Sequence, residues 1–256
     1  MRILLTNDDG INAPGLQVAE RIARQLSDDI LVVAPEHDQS GVAHSLSLND
    51  PLRLRRLDER RYAVKGTPTD CVIMAMRKLL DHPPDLVLSG VNSGQNVAED
   101  ITYSGTIAAA MEGAILGVAS IALSQCYDFF GGVKTIPWSC AETHAPGVLR
   151  RIIDRGVPPN VLVNVNFPPC PPEDVKGVAV TMQGRRCNDL MFIDDRVDGR
   201  GHPYHWISFQ RGDFVVGAGT DLEALLQCKI SVTPLKLDFT DHPTVTDFAA
   251  AFEAAS

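Results

Sequence analysis

Short, nearly continuous apolar runs alternate with stretches of helical spacing, and this alternation leaves few architectures open to the chain. Ile3 to Leu5, Ile30 to Ala34, Leu86 to Leu88, Ser120 to Leu123 and Val161 to Val165 read as strands. Their apolar character on both sides of the backbone marks strands covered on both faces, as in parallel sheets flanked by helices. Behind Pro14, residues Leu16, Ala19, Ile22, Ala23 and Leu26 recur at helical spacing. Thr67-Pro68-Thr69-Asp70 opens a second helix: Thr67 caps, Pro68 suits the first turn and Asp70 reaches back as its capping-box partner. Val72, Ile73, Met76, Leu79 and Leu80 form its buried stripe, and His82-Pro83-Pro84 ends it. Ser104-Gly105-Thr106 opens a third, Ile107 to Leu116. The fold class is therefore α/β, a parallel sheet wound on both faces with right-handed crossovers.

The rhythm changes near Asn160. Val178 to Thr181, Tyr204 to Phe209 and Lys229 to Asp238 read as strands with no strong helix between the last two. This part is expected to form antiparallel extensions and hairpins, with a charged loop over Asn188 to Gly201 and a short helix over Val245 to Ala254. Leu46 to Leu57 and Tyr62 to Val64 read as extended. With 256 residues the chain suits a single α/β domain, with a core over about 1–165 and an extended arm over about 166–256.

Charge narrows the partners. A formal net charge of -9 disfavours a nucleic-acid polymer or an acidic membrane surface, and an anionic substrate would need a local positive focus. Cys71, Cys126, Cys140, Cys170, Cys187 and Cys228 form no C-x-x-C pair and read as reduced, mostly buried thiols of a cytoplasmic protein. Asp8 and Asp9 interrupt the first apolar run, so no signal peptide is expected there, and no run approaches a membrane span.

In a doubly wound sheet, ligands bind beyond the carboxyl ends of the strands. Asp8 and Asp9 follow the first strand, Ser40 lies in the loop after the second, and Asn92 follows Leu86-Val87-Leu88. Two adjacent carboxylates at the mouth of a buried strand repel each other and resist desolvation, and a divalent cation removes both costs. Singly, each polar residue reads as an ordinary turn or cap. Jointly, two carboxylates, an amide oxygen and a hydroxyl make an all-oxygen set suited to Mg²⁺ or Mn²⁺. The helix start at Ser104, Gly105 and Thr106 offers free N–H groups and hydroxyls to a phosphate, with Gly105 permitting close approach. A phosphate ester is the expected substrate class. A nucleotide-binding regulator without turnover is the competing reading. A dinucleotide oxidoreductase is disfavoured because Asn7-Asp8-Asp9-Gly10 lacks the glycine-rich turn.

Several ordered blocks resemble the SurE family of survival-protein nucleotidases: Thr6-Asn7-Asp8-Asp9-Gly10 with Pro14-Gly15, Val32-Val33-Ala34-Pro35 with Ser40-Gly41, and Gly66 to Val72. Ser89-Gly90-Val91-Asn92 with Gly94 and Asn96, Tyr103 to Gly113, Asn164-Val165-Asn166 and Ser231 to Leu235 extend the similarity over nearly the whole chain. The resemblance implies a Rossmann-like three-layer core and metal-dependent hydrolysis of nucleoside 5′- and 3′-monophosphates, a 5′-nucleotidase activity that also reaches short-chain polyphosphate in some members. It implies one divalent cation on Asp8, Asp9, Ser40 and Asn92, with Asn96, Ser104, Gly105 and Thr106 lining the phosphate pocket. It further implies a homodimer or homotetramer through exchange of the C-terminal arm. Gln95 stands where many members carry proline, Cys228-Lys229 replaces a frequent Gly-Tyr, and Cys126 to Cys140 matches poorly. Attack on phosphorus by water or by an aspartate both remain open, with water favoured if Asp8 and Asp9 both hold the cation. His44 is the histidine nearest the site in sequence, and Arg185-Arg186 reads as a solvated pair outside it.

Overall fold

The computed structural model describes residues 1–130, 133–186, 191–209 and 216–253. Its strands are β1 (Arg2–Thr6), β2 (Asp29–Pro35), β3 (Arg53–Arg56), β4 (Arg61–Lys65), β5 (Leu86–Ser93), β6 (Ala119–Gln125), β7 (Asp128–Phe130), β8 (Val133–Thr135), β9 (Val161–Phe167), β10 (Val178–Val180), β11 (Met191–Val197), β12 (Pro203–Phe209) and β13 (Ile230–Lys236). Its helices are α1 (Pro14–Arg24), α2 (Pro68–Met74), α3 (Gly105–Ile115), α4 (Trp138–Arg155), α5 (Asp221–Leu226) and α6 (His242–Glu253). Nine strands form one sheet in the order β10-β13-β9-β6-β5-β1-β2-β4-β3. The six central strands, β9 to β4, run parallel, and β13 and β3 close on them antiparallel.

Alternation within each strand splits the core into two layers. Ile3, Leu5, Ile30 and Val32 point to one face, where α1 and α4 cover them with Leu16, Ala19, Ile22, Ala145 and Leu149. Leu4, Leu31, Val33 and Val87 point to the other, under Cys71, Val72 and Ala75 of the α2 segment and Ala109 of α3. Burial on both faces explains why these strands read as unbroken apolar runs. The capping box expected at Thr67 is present: Asp70 N–H donates to Thr67 Oγ1 at 3.1 Å and Thr67 N–H to Asp70 Oδ2 at 2.8 Å.

This topology places the site. From β1 the chain crosses through α1 to β2 on one side, and from β5 it crosses through α3 to β6 on the other. The connections diverge on opposite faces and leave a crevice between the carboxyl ends of β1 and β5.

Five expectations change. Residues 138–155 form an 18-residue helix that no sequence signal announced. Residues 191–197 of the expected charged loop pair antiparallel with β12, although Asn188 lies outside the described residues. Within Leu46 to Leu57 only Arg53–Arg56 is a strand, and the helix α5 stands between β12 and β13. The short Asp128–Thr135 hairpin was not anticipated either.

Candidate active site

The turn after β1 is built by its own side chains. Asn7 Nδ2 donates to Gly10 O at 3.0 Å, and Gly10 takes φ +102, a conformation glycine adopts without steric cost. Gln39 N–H donates to Asp8 O at 2.9 Å, so the loop carrying Ser40 is laced to the turn carrying Asp8. Asp8 is 3% exposed and accepts from Thr106 Oγ1 at 2.5 Å. Burial pushes its carboxyl up to about 7, helped by the neighbouring Asp9 charge and opposed by the Thr106 hydrogen bond. Asp9 is half-buried and accepts from Ser93 N–H at 3.1 Å. Burial also raises its carboxyl, Ser93 and Lys134 pull it back, and the Asp38 charge adds to the rise.

The other predicted residues take distinct places. Ser40 is exposed, and its hydroxyl and N–H donate to Asp38 Oδ1 at 2.6 and 2.8 Å, which leaves the hydroxyl lone pairs open. Asn92, at the end of β5, donates Nδ2 to Gly94 O at 2.9 Å and keeps its side-chain oxygen as an acceptor. Ser104 caps α3 by accepting from Ile107 N–H at 3.1 Å, and the N–H groups of Gly105 and Thr106 have no acceptor within the helix. Asn96 differs from the expectation. It is tied beneath β6 and β9, with Nδ2 donating to Ser124 Oγ at 2.8 Å and its N–H donating to Asn166 Oδ1 at 2.8 Å. Its carbonyl accepts from Asn164 and Asn166. No described hydrogen bond joins Asn96 to the acid pair or to residues 104–106. Gly105 also differs in its reason. A β-carbon there would lie 2.8 Å from Asp8 Cβ and 3.1 Å from Pro68 Cγ, so the missing side chain makes room for Asp8.

The donors fit a hard divalent cation. Among the described residues neither Asp8 nor Asp9 has an ion pair, and no three His, Cys, Asp or Glu cluster in a metal-holding arrangement. Asn7 Oδ1, Thr6 Oγ1 and Ser89 Oγ lie buried at the same strand ends without a hydrogen-bond partner. A buried, uncompensated carboxylate among spare oxygens is the electrostatic complement of a cation taking oxygen ligands.

Three contributors escaped the sequence reading. Asp38 had a signal, the Asp-x-Ser turn pattern. Ser93 acts through its backbone, which no side-chain pattern reveals. Lys134 arrives on β8, where its ammonium donates to Ser93 O at 3.2 Å and Ser93 Oγ at 3.3 Å and lies 4.2 Å from the Tyr127 ring centre. It brings a positive charge beside Asp9, whose carboxyl it pulls down. His44 meets Glu112 at 3.0 Å along α3, not at the helix start. Arg186 is an anchor: it pairs with Asp100 at 2.7 Å and its N–H donates to Glu99 at 2.9 Å, in the segment leading to Ser104. Burial pushes the Asp100 carboxyl up to about 6 even with Arg186 alongside.

A parallel α/β sheet with acidic and amide oxygens at one strand edge, beside an open helix N-terminus, defines a Rossmann-like protein. Residues 3–189 match the family model described as survival protein SurE. A relative from Methylocella silvestris named 5′-nucleotidase SurE is 67% identical over 252 residues, covering 98% of this chain and 99% of that one. A Methylorubrum extorquens relative of the same name is 64% identical, covering 99% and 100%. The crystal structure of the SurE protein from Aquifex aeolicus superposes with a TM-score of 0.82 at 39% identity, over 96% of this chain and 98% of that one. The chain belongs to the SurE family.

Proposed function

We propose that the chain is a 5′-nucleotidase, a divalent-metal-dependent phosphomonoesterase that converts nucleoside 5′-monophosphates, and 3′-monophosphates, to nucleoside and phosphate, with short-chain polyphosphate as a further substrate. The observation that carries this is Asp8: buried, without a counter-charge, and hydrogen-bonded to the first turn of α3. The name 5′-nucleotidase carried by full-length relatives at 63–67% identity supports the substrate class. Asp8, Asp9, Ser40 and Asn92 would hold one Mg²⁺ or Mn²⁺. Held by those residues, a cation would supply charge neutralisation for the phosphoryl group and would acidify a water. The N–H groups of Gly105 and Thr106 and the Ser104 hydroxyl receive the phosphate oxygens, while the Thr106 hydroxyl stays on Asp8. Asn96 stiffens the loop from Asn92 through its bonds to Ser124 and Asn166. With both aspartates engaged on the cation, the attacking group is water, and a quenched single turnover should leave no phosphate on the protein.

Phosphate release from AMP, with and without chelator, tests the reading against a binding protein without turnover. Chelation, or Asp9→Asn, should lower kcat/KM at least 100-fold, since each removes charge stabilisation used in the transition state. Undiminished turnover in chelator would overturn it. Lys134→Met is expected to raise KM for AMP several-fold with little change in kcat, and to flatten the dependence of KM on ionic strength.

We place the core at about 1–165 and the arm at about 166–256, with the arm joining chains into a homodimer or homotetramer in the cytoplasm. The apolar residues left exposed on the arm support this: Trp206 at 57% and Ile207 at 70% on β12, and Phe248 at 59% on α6. Among the described residues no helix is long and apolar enough to cross a membrane.

A further inference from the structure

The acid pair stands between two walls. On one side Asp8 meets the start of α3 through Thr106 Oγ1. On the other, Asp9 meets the end of β5 through Ser93 N–H at 3.1 Å, and the β7–β8 hairpin sits on that segment. Lys134 Nζ donates to Ser93 O at 3.2 Å and to Ser93 Oγ at 3.3 Å, and the same ammonium lies 4.2 Å from the Tyr127 ring centre, a cation–π distance. Gly94, whose carbonyl accepts from Asn92 Nδ2, packs against that ring: a β-carbon there would lie 3.3 Å from Tyr127 Cε1. Tyr127 in turn meets Phe129 edge-to-face, with ring centres 5.6 Å apart and planes at 87°. Phe129 pairs across the hairpin with Lys134 and is 46% exposed. From Asp9 through Ser93, Lys134 and Tyr127 to Phe129, every step is a direct contact, and the last is an exposed aromatic ring on the wall opposite α3.

We propose that Phe129 stacks on the nucleobase of the substrate, with Tyr127 as a positioning residue behind it, a role that rests on the nucleotidase reading of the site and adds the part that tells a nucleotide from another phosphate monoester. The phosphate occupies the α3 side, next to Asp8, and the ribose and base extend toward the hairpin. Every nucleobase has a π face, so an aromatic ring receives it without a particular hydrogen-bond pattern. Covering the exposed Phe129 ring also removes apolar surface from water.

Tyr127 is half-buried between Lys134 and Gly94, whereas Phe129 lies further out on the hairpin and keeps the larger exposed area. Lys134 links this platform to Ser93, so the ring is held at a fixed place relative to Asp9. The hairpin falls within residues 126–140, the stretch that departs from the family pattern, as suits a segment that selects the substrate while the strand ends carry the chemistry.

Phosphate release by the full-length protein with Mn²⁺ is measured from AMP and from ribose 5-phosphate, which is AMP without its base. In Phe129→Ala the ratio of kcat/KM for AMP to that for ribose 5-phosphate should fall about tenfold, the scale of one base–aromatic stack, with the loss in KM for AMP. Phe129→Leu, apolar but without a π face, should lower the ratio in the same direction, and Phe129→Trp should keep it. Adenosine, a base without a phosphate, should inhibit ribose 5-phosphate hydrolysis by the parent and do so about tenfold less strongly in Phe129→Ala. An unchanged ratio, or equal losses on both substrates, would overturn the stack and leave the nucleotidase reading standing. No phosphate released from AMP by the parent would sink that reading and the stack with it.

Discussion

Asp8→Asn is expected to lose at least 100-fold in kcat/KM and yet, in chelator at pH 8, to melt several degrees above the parent protein. Both effects come from one charge. The folded chain raises the Asp8 carboxyl from 3.8 to about 7, so the native state binds that proton more tightly than the unfolded state. Its stability is therefore complete below about pH 4 and falls as pH rises to about 7. The deficit approaches ~4 kcal/mol at pH 8, from 1.36 kcal/mol per pKa unit. Asparagine stays neutral and keeps an oxygen for Thr106 Oγ1, so the variant escapes this loss. Asp9, Asp100 and Asp221 are also raised by burial and weaken both proteins alike, which leaves the difference to Asp8. The advantage should vanish near pH 4. Adding Mn²⁺ should reverse the ranking, because a ligand that binds only the native parent stabilises it by mass action. Thermal melts of both proteins across pH 4–8, with chelator and with Mn²⁺, give the comparison. A pH-independent difference would mean that Asp8 is not an uncompensated charge, and parental turnover in the variant would remove it from the site.

Gly105→Val should cost about 2 kcal/mol in stability, the scale of overpacking a tight contact, and lower activity by two orders of magnitude or more. The added β-carbon would lie 2.8 Å from Asp8 Cβ and 3.2 Å from Asp8 Oδ2. Neither neighbour yields easily: Asp8 is laced to Gln39 through its backbone, and Pro68 is a rigid ring at the start of α2. The start of α3 must move away from β1, carrying the Gly105 and Thr106 N–H groups with it. Gly105→Ala should fall between the two, and inhibition by free phosphate should weaken in step. Valine with undiminished phosphate inhibition would separate this helix start from the anion.

Much of the fold was legible because its signals are local. β1, β2 and β5 carry the unbroken apolar runs Ile3 to Leu5, Ile30 to Ala34 and Leu86 to Leu88, and Thr67 and Asp70 carry their capping box within four residues. What escaped detection had no local signal. Pro146 and Gly147 sit in the middle of α4 and break the expected helical pattern, while packing of Cys140, Ala145 and Leu149 on α1 holds the helix. β11 buries neither face, so its charged residues show no alternation, and only pairing with β12 makes it a strand.

The site divides along the same line. By residue chemistry alone, the chain determined that Asp8, Asp9, Ser40 and Asn92 are oxygen donors at strand ends and that Ser104 caps a helix. Only the tertiary structure decided that Asp8 loses its water beneath Thr106, that Gly105 is small for the sake of Asp8, that Asn96 is spent on Ser124 and Asn166, and that Lys134 comes to rest beside Ser93. Donor type and helix start are written within a few residues, whereas desolvation and charge proximity depend on which distant segments the fold brings together.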